Sequence, residues 1–574
     1  MSGPTLTPEQ FRAAHERGGA LLVSAGAGAG KTRVLVERLM ARVCDPVAPR
    51  HIDDFLVITY TKAAAAELRS RILDALSARL AEEPMNRHLR RQLTRLPQAH
   101  ISTVHAFCKR LLEERAPVGL LPAPARLMDE AERGILHARV LEEVLARCYE
   151  EETALFAALL DATLGERGDG FLQTLVMLAY EKTRAHPDPA AWAGAQTAAF
   201  AEAGARPVEK TPWGRLLLDT AARQVDFACA GLARARAAMR AHPAVESAYG
   251  PAFDGDVDAA QAVRTALARG WDEAVAAVSA LTFARLSPLR GEENREAGAP
   301  FRAVREAWKQ RTKALAKRFD RPDAAHRADL SAVAPVIEGL FDTVRRFEEA
   351  LTAEKRRLGV IDFFDLEHGA LALLTQQGPD GPRRSAEAER VSERYAEILV
   401  DEYQDISLTQ ENIVQALSQG GRNLFFVGDV RQSIYRFRLA EPGLFLEKYR
   451  TFPDIPAGEG APRRILLSRN FRSRPPVLDA VNHLFQALMS EESGEMAYTE
   501  REFLESSGAF PETGADYGTE LLLAQWRRPD PDGGPDALSD VAPDAPEEEL
   551  TGARAEAAVL AARLRALLDE RFPV

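Results

Sequence analysis

Cysteine is scarce: the 574 residues hold four, Cys44, Cys108, Cys148 and Cys229, far apart and without a Cys-x-x-Cys pair. That spacing argues against a zinc ribbon, an iron–sulfur cluster or a disulfide framework, and leaves buried, reduced thiols as the expectation. Long apolar runs are missing too, with no eighteen uninterrupted apolar residues anywhere, so no membrane span is expected. The opening Met1-Ser2-Gly3-Pro4 reaches Glu9, Gln10 and Arg12 with no charged leader ahead of an apolar core, which makes the cytoplasm the default location. Nor is there an excess of positive charge: 73 basic against 85 acidic residues leave a net charge of −12. An acidic total argues against a phosphate-rich partner, whose counterions only Lys and Arg displace. Distribution qualifies this, because basic clusters occupy Arg87 to Arg95, Lys355 to Arg357, Arg431 to Arg438 and Arg463 to Arg474, while 529 to 549 is rich in Asp, Glu and Pro and reads as a linker. With 46% hydrophobic and 28% charged residues, the chain is globular and long enough for roughly four domain-sized units.

Apolar runs and helical periodicity alternate at the start. Ala20 to Val23 reads as a strand, Thr32 to Arg42 as a helix, Asp54 to Thr59 as a second strand and Ala63 to Leu80 as a second helix, the pattern of an α/β parallel sheet. From about 128 to 356 the composition shifts to Ala, Leu, Glu and Arg at helical spacing, which predicts an all-helical insertion. Strand-like runs return at Glu397 to Val400, Leu424 to Val427 and Ile465 to Leu467, so the sheet is expected to be completed from both sides of the insertion. A last strand is expected at Glu520 to Trp526 and a helix from Glu547 to about Asp569.

Ser24-Ala25-Gly26-Ala27-Gly28-Ala29-Gly30-Lys31-Thr32 lies between a predicted strand and helix, where successive backbone N–H groups can surround phosphate oxygens. Lys31 would reach the terminal phosphates, and the Thr32 hydroxyl would ligate Mg²⁺. The usual form of this loop begins with Gly; here Ala25 takes that place. Ile398 to Val400 leads into Asp401-Glu402-Tyr403-Gln404-Asp405 at a strand end, giving Asp401 for the Mg²⁺ shell and Glu402 to orient and deprotonate an attacking water. A third strand end carries Gly428 to Arg438, in which Gln432 can bond a γ-phosphate or that water, and Tyr435 and Phe437 offer faces for unpaired bases or, on the plainer reading, core packing. Together these elements make an NTPase.

These blocks, with Leu6-Thr7-Pro8-Glu9-Gln10, Ile58 to Leu68, Ile101 to Cys108, Asp362-Phe363-Phe364-Asp365-Leu366 and Ser468-Arg469-Asn470-Phe471-Arg472-Ser473, resemble the N-terminal portion of a UvrD/Rep-type superfamily 1A DNA helicase, most similar to the AddA-type helicase–nuclease protein. The resemblance covers about 1 to 485. It implies a P-loop, RecA-like first motor domain at 1–127 and 357–455, a helical arm at 128–356 and the start of a second RecA-like domain at 456–574. It further implies an ATP- and Mg²⁺-dependent enzyme that translocates on single-stranded DNA and unwinds duplex DNA with 3′ to 5′ polarity in repair or recombination, beside an AddB-like partner. Gln10 would read the adenine, Phe471 and Arg33 would bracket it, and Arg472 would act as an arginine finger, worth roughly 10³–10⁵ in rate. Tyr60, Thr61, Thr103, His105, Tyr435 and Phe437 would face the single strand, with Arg438 and Gln432 coupling nucleotide state to it. Tyr60 stands where the family usually carries Phe. His105 can also be a buried structural histidine, and Asp362 or Asp365 a helix cap or salt-bridge partner.

Beyond Arg474 the later blocks of the second motor domain, its second arginine finger and a C-terminal nuclease block are not found. A truncated or split product is therefore expected, with an ATP- and DNA-binding module lacking productive unwinding as the alternative.

Overall fold

The computed structural model describes residues 6–115, 125–163, 169–378, 381–454, 460–511, 517–523 and 547–572. They fall into two units, residues 1–120 with 363–574, and residues 121–362.

The first unit is built on six parallel strands: β1 Gly19–Ala25, β2 Phe55–Thr59, β3 His100–Thr103, β4 Glu397–Val400, β5 Asn423–Gly428 and β6 Arg463–Leu467. Their order across the sheet is β6-β1-β5-β4-β2-β3. Every residue of β1, β2, β4 and β5 is buried, as expected of parallel strands covered on both faces. The helix Lys31–Val43 lays Val34, Leu35, Leu39 and Val43 onto a core that includes Val23, Val57, Leu399 and Phe425. Because β4 and β5 insert between β1 and β2, with Val23 in register with Val427 and Ile58 with Val400, the loops following β1, β4 and β5 meet at the carboxyl edge of the sheet. β6 pairs with β1, Val23 opposite Ile465, so residues beyond 455 complete this sheet.

The second unit is helical, apart from a parallel pair, Arg126–Leu127 with Val360–Ile361. Its helices run from Glu130–Glu151 to the 36-residue Asp323–Leu358 and form two cores, one around Leu141, Tyr180 and Phe347, the other around Phe253, Trp271 and Trp308. His137 is buried in the first, its ring edge-on to Tyr180 and Phe347 and its Nε2 without a hydrogen-bond partner among the described residues. Burial, reinforced by the nearby Lys355 ammonium, pushes its pKa down to about 4. The folded chain then stays neutral at this site while the unfolded chain gains a proton below about pH 6.5, so stability present above pH 6.5 is lost as the pH falls toward 4. We expect the parent to lose about 2–3 kcal/mol more than His137→Gln over that window in denaturant titrations.

Two expectations are corrected, the strand at 520–526 and the burial of all four cysteines, and one open reading, that of Asp362, is decided. Residues 520–523 form no strand, and 524–526 lie outside the described residues, as does the acidic stretch 529 to 549 up to residue 546. Cys44 is exposed at the end of its helix, whereas Cys108 and Cys148 are buried and Cys229 is partly covered. Asp362 is a salt-bridge partner, bonded to Lys355 with both side chains buried. Among the described residues, no helix is long and apolar enough to cross a membrane.

Candidate active site

After β1 the chain turns through Gly28 and Gly30, whose φ values of +72° and +83° are open to glycine without strain. A methyl group on Gly28 would fall 2.8 Å from Asn470 Nδ2 and 2.9 Å from Arg472 Cβ, so the loop Ser24 to Gly30 is approached closely by the segment after β6. That segment is tied to it: Asn470 Nδ2 donates to Ala27 O at 2.6 Å and the Phe471 amide to Gly28 O at 3.0 Å. Asn470 Oδ1 in turn accepts from the Arg472 and Ser473 amides, which fixes the backbone of Arg472 beside the loop while its side chain stays exposed. Phe471 is 40% exposed and Arg33 lies in the first turn of the helix that Lys31 opens, with Thr32 between them in that turn.

Gln10 is buried in the helix Pro8–His15, which Thr7 caps reciprocally: the Gln10 amide donates to Thr7 Oγ1 and Gln10 Oε1 accepts from the Thr7 amide. Its Nε2 donates to Ala29 O at 2.9 Å, so this side chain buttresses the loop.

Three strand ends converge on Lys31. Its Nζ lies 2.8 Å from Glu402 Oε2 and 3.3 Å from Gln432 Oε1, joining residues some 371 and 401 positions apart. Glu402 itself adopts φ +49°, a left-handed conformation unusual for a side-chain-bearing residue, which aims its carboxylate back at Lys31. Asp401 accepts from the Glu402 amide; burial, with the Glu402 charge adding and Lys31 opposing, pushes its carboxyl up to about 6. A buried carboxyl raised in this way is a group whose charged form a divalent cation restores, and Thr32 offers a hydroxyl in the first turn of the helix Lys31–Val43. The residues present thus fit Mg²⁺.

Sequence reading passed over the residues that lock this arrangement. Gln404, buried, donates to Glu402 Oε2 at 2.9 Å and accepts from the Asp429 amide at 2.9 Å. Asp429 then accepts from Gln432 Nε2 at 2.7 Å and from Arg431 Nε at 2.6 Å. Asp405, bonded by Gln404, has its carboxyl pushed up to about 6 by burial and by Glu402. All of these stand inside the boxes that the sequence singles out, and only the fold shows their pairing.

At the ends of β2 and β5 lies a row of rings. Tyr60 stacks on Tyr435 with centroids 5.1 Å apart and planes 23° from parallel, and Tyr435 meets Phe437 at 5.8 Å. Phe437 is 74% exposed, so the packed-core reading does not hold for it. Thr61 and Thr103 are spent locally, accepting from the amides of Ala64 and Ala106 at helix starts. His105 is partly exposed: its ring tilts against Phe363 at 4.5 Å and its Nε2 lies 2.9 Å from Glu367 Oε1. Arg438 ends the short turn Arg436–Arg438 that follows Tyr435.

The model of the UvrD/REP helicase N-terminal domain family matches residues 6–453. Among curated proteins, an ATP-dependent helicase/nuclease subunit of Pelotomaculum thermopropionicum is 39% identical over 98% of this chain and 46% of its own length. The same-named proteins of Geobacillus kaustophilus and Bacillus licheniformis are 37% and 36% identical, over 98% and 100% of this chain and 45% and 46% of theirs. The chain spans about half the length of these relatives.

Proposed function

The chain belongs to the UvrD/REP helicase family, and from that premise we propose that it is the nucleotide-hydrolysing, strand-gripping portion of an ATP-dependent DNA helicase of the AddA type. The observation that carries this is the meeting of Lys31, Glu402 and Gln432 at one point beside a glycine loop. Lys31 trades its carboxylate partner for the β- and γ-phosphates as the loop amides from Ser24 to Gly30 close round them. Thr32 and Asp401 would hold Mg²⁺, which would supply charge neutralisation at the phosphates. Glu402 takes the proton of the attacking water, Gln432 holds that water or the γ-phosphate, and Arg472 stabilises the charge that develops. Gln10, Phe471 and Arg33 form the base side of the same pocket.

Single-stranded DNA is gripped by Tyr60, Tyr435 and Phe437, each base stacked contributing about 1–3 kcal/mol, with Arg438, Thr61, Thr103 and His105 along the same edge. Residues 1–127 and 357–455, with β6 at Arg463–Leu467 completing their sheet, serve as the first RecA-like motor domain, 128–356 as its arm, and the residues after β6, not all of 456–574, as the start of the second. The relatives are named as a subunit of a helicase/nuclease, which supports a further component. That component is proposed to be AddB-like, and the setting to be double-strand-break processing by 3′ to 5′ unwinding of duplex DNA.

Steady-state ATP hydrolysis with and without single-stranded DNA tests this. We expect stimulation by DNA, abolished in Lys31→Ala. Salt-dependent DNA binding without any hydrolysis would replace this reading with that of a binding module.

A further inference from the structure

Arg431 takes no part in the scheme above, yet its guanidinium is among the best-held in the first unit. Its Nε donates to Asp429 Oδ1 at 2.6 Å, and the other oxygen of that carboxylate accepts from Gln432, so a single carboxylate fixes both side chains. On its far side Arg431 Nη1 donates to Glu502 O at 2.9 Å, and the guanidinium stands 5.7 Å from the centre of the Tyr498 ring. Only 12% of the side chain is exposed.

The segment it reaches is itself locked. Tyr498 Oη donates to Asn482 Oδ1 at 2.7 Å, Asn482 Nδ2 donates to Leu504 O at 3.0 Å, and the Leu504 amide returns to Asn482 Oδ1 at 3.0 Å. Glu505–Ser506 then pairs in parallel with Arg469–Asn470, and the Ser507 amide donates to Asn470 O at 2.8 Å. Asn470 is the residue that holds both the loop at Ala27 and the backbone of Arg472. A closed circuit therefore runs from Gln432 through Asp429 and Arg431 to residues 498–506, on to Asn470 and Arg472, and back to the phosphate loop.

We propose that Arg431 is a positioning residue that sets the distance between Gln432 and Arg472, so that the two groups close on a γ-phosphate together. The proposal rests on the nucleotide-hydrolysis reading of the site. Its physical content is the fork of a guanidinium, which donates in two directions at once. A lysine keeps the charge beside Asp429 but, as a point donor on a flexible stem, does not hold the Glu502 carbonyl in the same geometry.

The test uses the whole chain, with fluorescent ATP and ADP analogues, steady-state hydrolysis and thermal unfolding measured for the parent protein, Arg431→Lys and Arg431→Gln. Arg431→Lys is expected to unfold within a few degrees of the parent and to keep its affinity for the ADP analogue. Its preference for the ATP analogue and its kcat are both expected to fall roughly tenfold, because ADP does not engage Gln432 or Arg472. Arg431→Gln is expected to lose both further. Parent-like kcat and nucleotide preference in Arg431→Lys would overturn the proposal, as would losses in either variant that follow only the folded fraction. A parent protein that binds neither analogue would instead refute the nucleotide reading, and this proposal with it.

Discussion

Changing Glu402 to Gln is expected to lower kcat for ATP hydrolysis by roughly 10³-fold while the dissociation constant for ATP falls a few-fold. The two effects have one origin. Lys31 is held 2.8 Å from Glu402 Oε2, and that ion pair must open before the ammonium can serve a phosphate. Glutamine fills the same volume and can still accept from Lys31 and Gln404, so the left-handed turn at φ +49° and the geometry of the loop persist. A neutral amide holds the ammonium less strongly than a carboxylate does, which favours the nucleotide in the competition for Lys31. The same amide accepts no proton from water, which removes the general base. Equilibrium binding beside single-turnover hydrolysis separates the two quantities. A loss of affinity matching the loss of rate would mean that Glu402 shapes the pocket and does not act on water.

The halves of this prediction were unequally legible in the sequence. Lys31, Glu402 and Gln432 stand out because each follows shortly after a run of apolar residues that reads as a buried strand, Lys31 at the end of a glycine-rich loop, and strand ends in an open parallel sheet gather at one edge. Their mutual distance follows from the order β6-β1-β5-β4-β2-β3, which places β5 beside β1 and β4 beside β5 although both come more than 370 residues after β1. The partners Gln404, Asp429 and Asn470 leave no such trace, because a polar residue inside a box looks the same whether it faces solvent or bonds across the fold. Gln10 shows the converse: its block and the reciprocal capping of its own helix by Thr7 are local, yet its bond to Ala29 O depends on where that helix docks. Thr61 and Thr103 resemble DNA contacts in sequence and act as helix caps in the fold, two uses one hydroxyl serves through different lone pairs. At 520–523 the three leucines after Glu520 form no strand, since an apolar run without β-branched or aromatic residues carries little strand preference of its own.

Arg38→Ala is expected to cost about 3–5 kcal/mol of stability, far more than any substitution at the exposed ion pairs. Arg38 lies seven residues into the helix that Lys31 opens, and Glu397 is the first residue of β4, the strand that ends at Asp401 and Glu402. Both side chains are nearly inaccessible, at 3% and 4%, and bonded, with Arg38 Nε 3.1 Å from Glu397 Oε1. The guanidinium also donates to Ala13 O at 2.7 Å and lies 4.5 Å over the Phe425 ring, so one side chain ties together the loop's helix, the Gln10 helix, β4 and β5. Among the described residues Glu397 Oε2 has no hydrogen-bond partner, and Arg42 stands 3.8 Å from it. Removing Arg38 would therefore strand a carboxylate in a low-dielectric core, where desolvation rather than the lost bond sets the cost. Denaturant unfolding of Arg38→Ala, Glu397→Gln and the Arg38→Met/Glu397→Gln pair distinguishes the terms. The pair is expected to recover most of the loss, because two neutral side chains of similar volume leave no stranded carboxylate, the remainder being the lost partner of Arg42. A single-variant cost below about 1 kcal/mol would mean that water reaches the pair and the carboxylate is not stranded. Since the same guanidinium anchors the helix carrying Gln10, Arg38→Ala should also weaken ATP binding in the fraction that remains folded, whereas Arg38→Met, which preserves the packing over Phe425, should weaken it less.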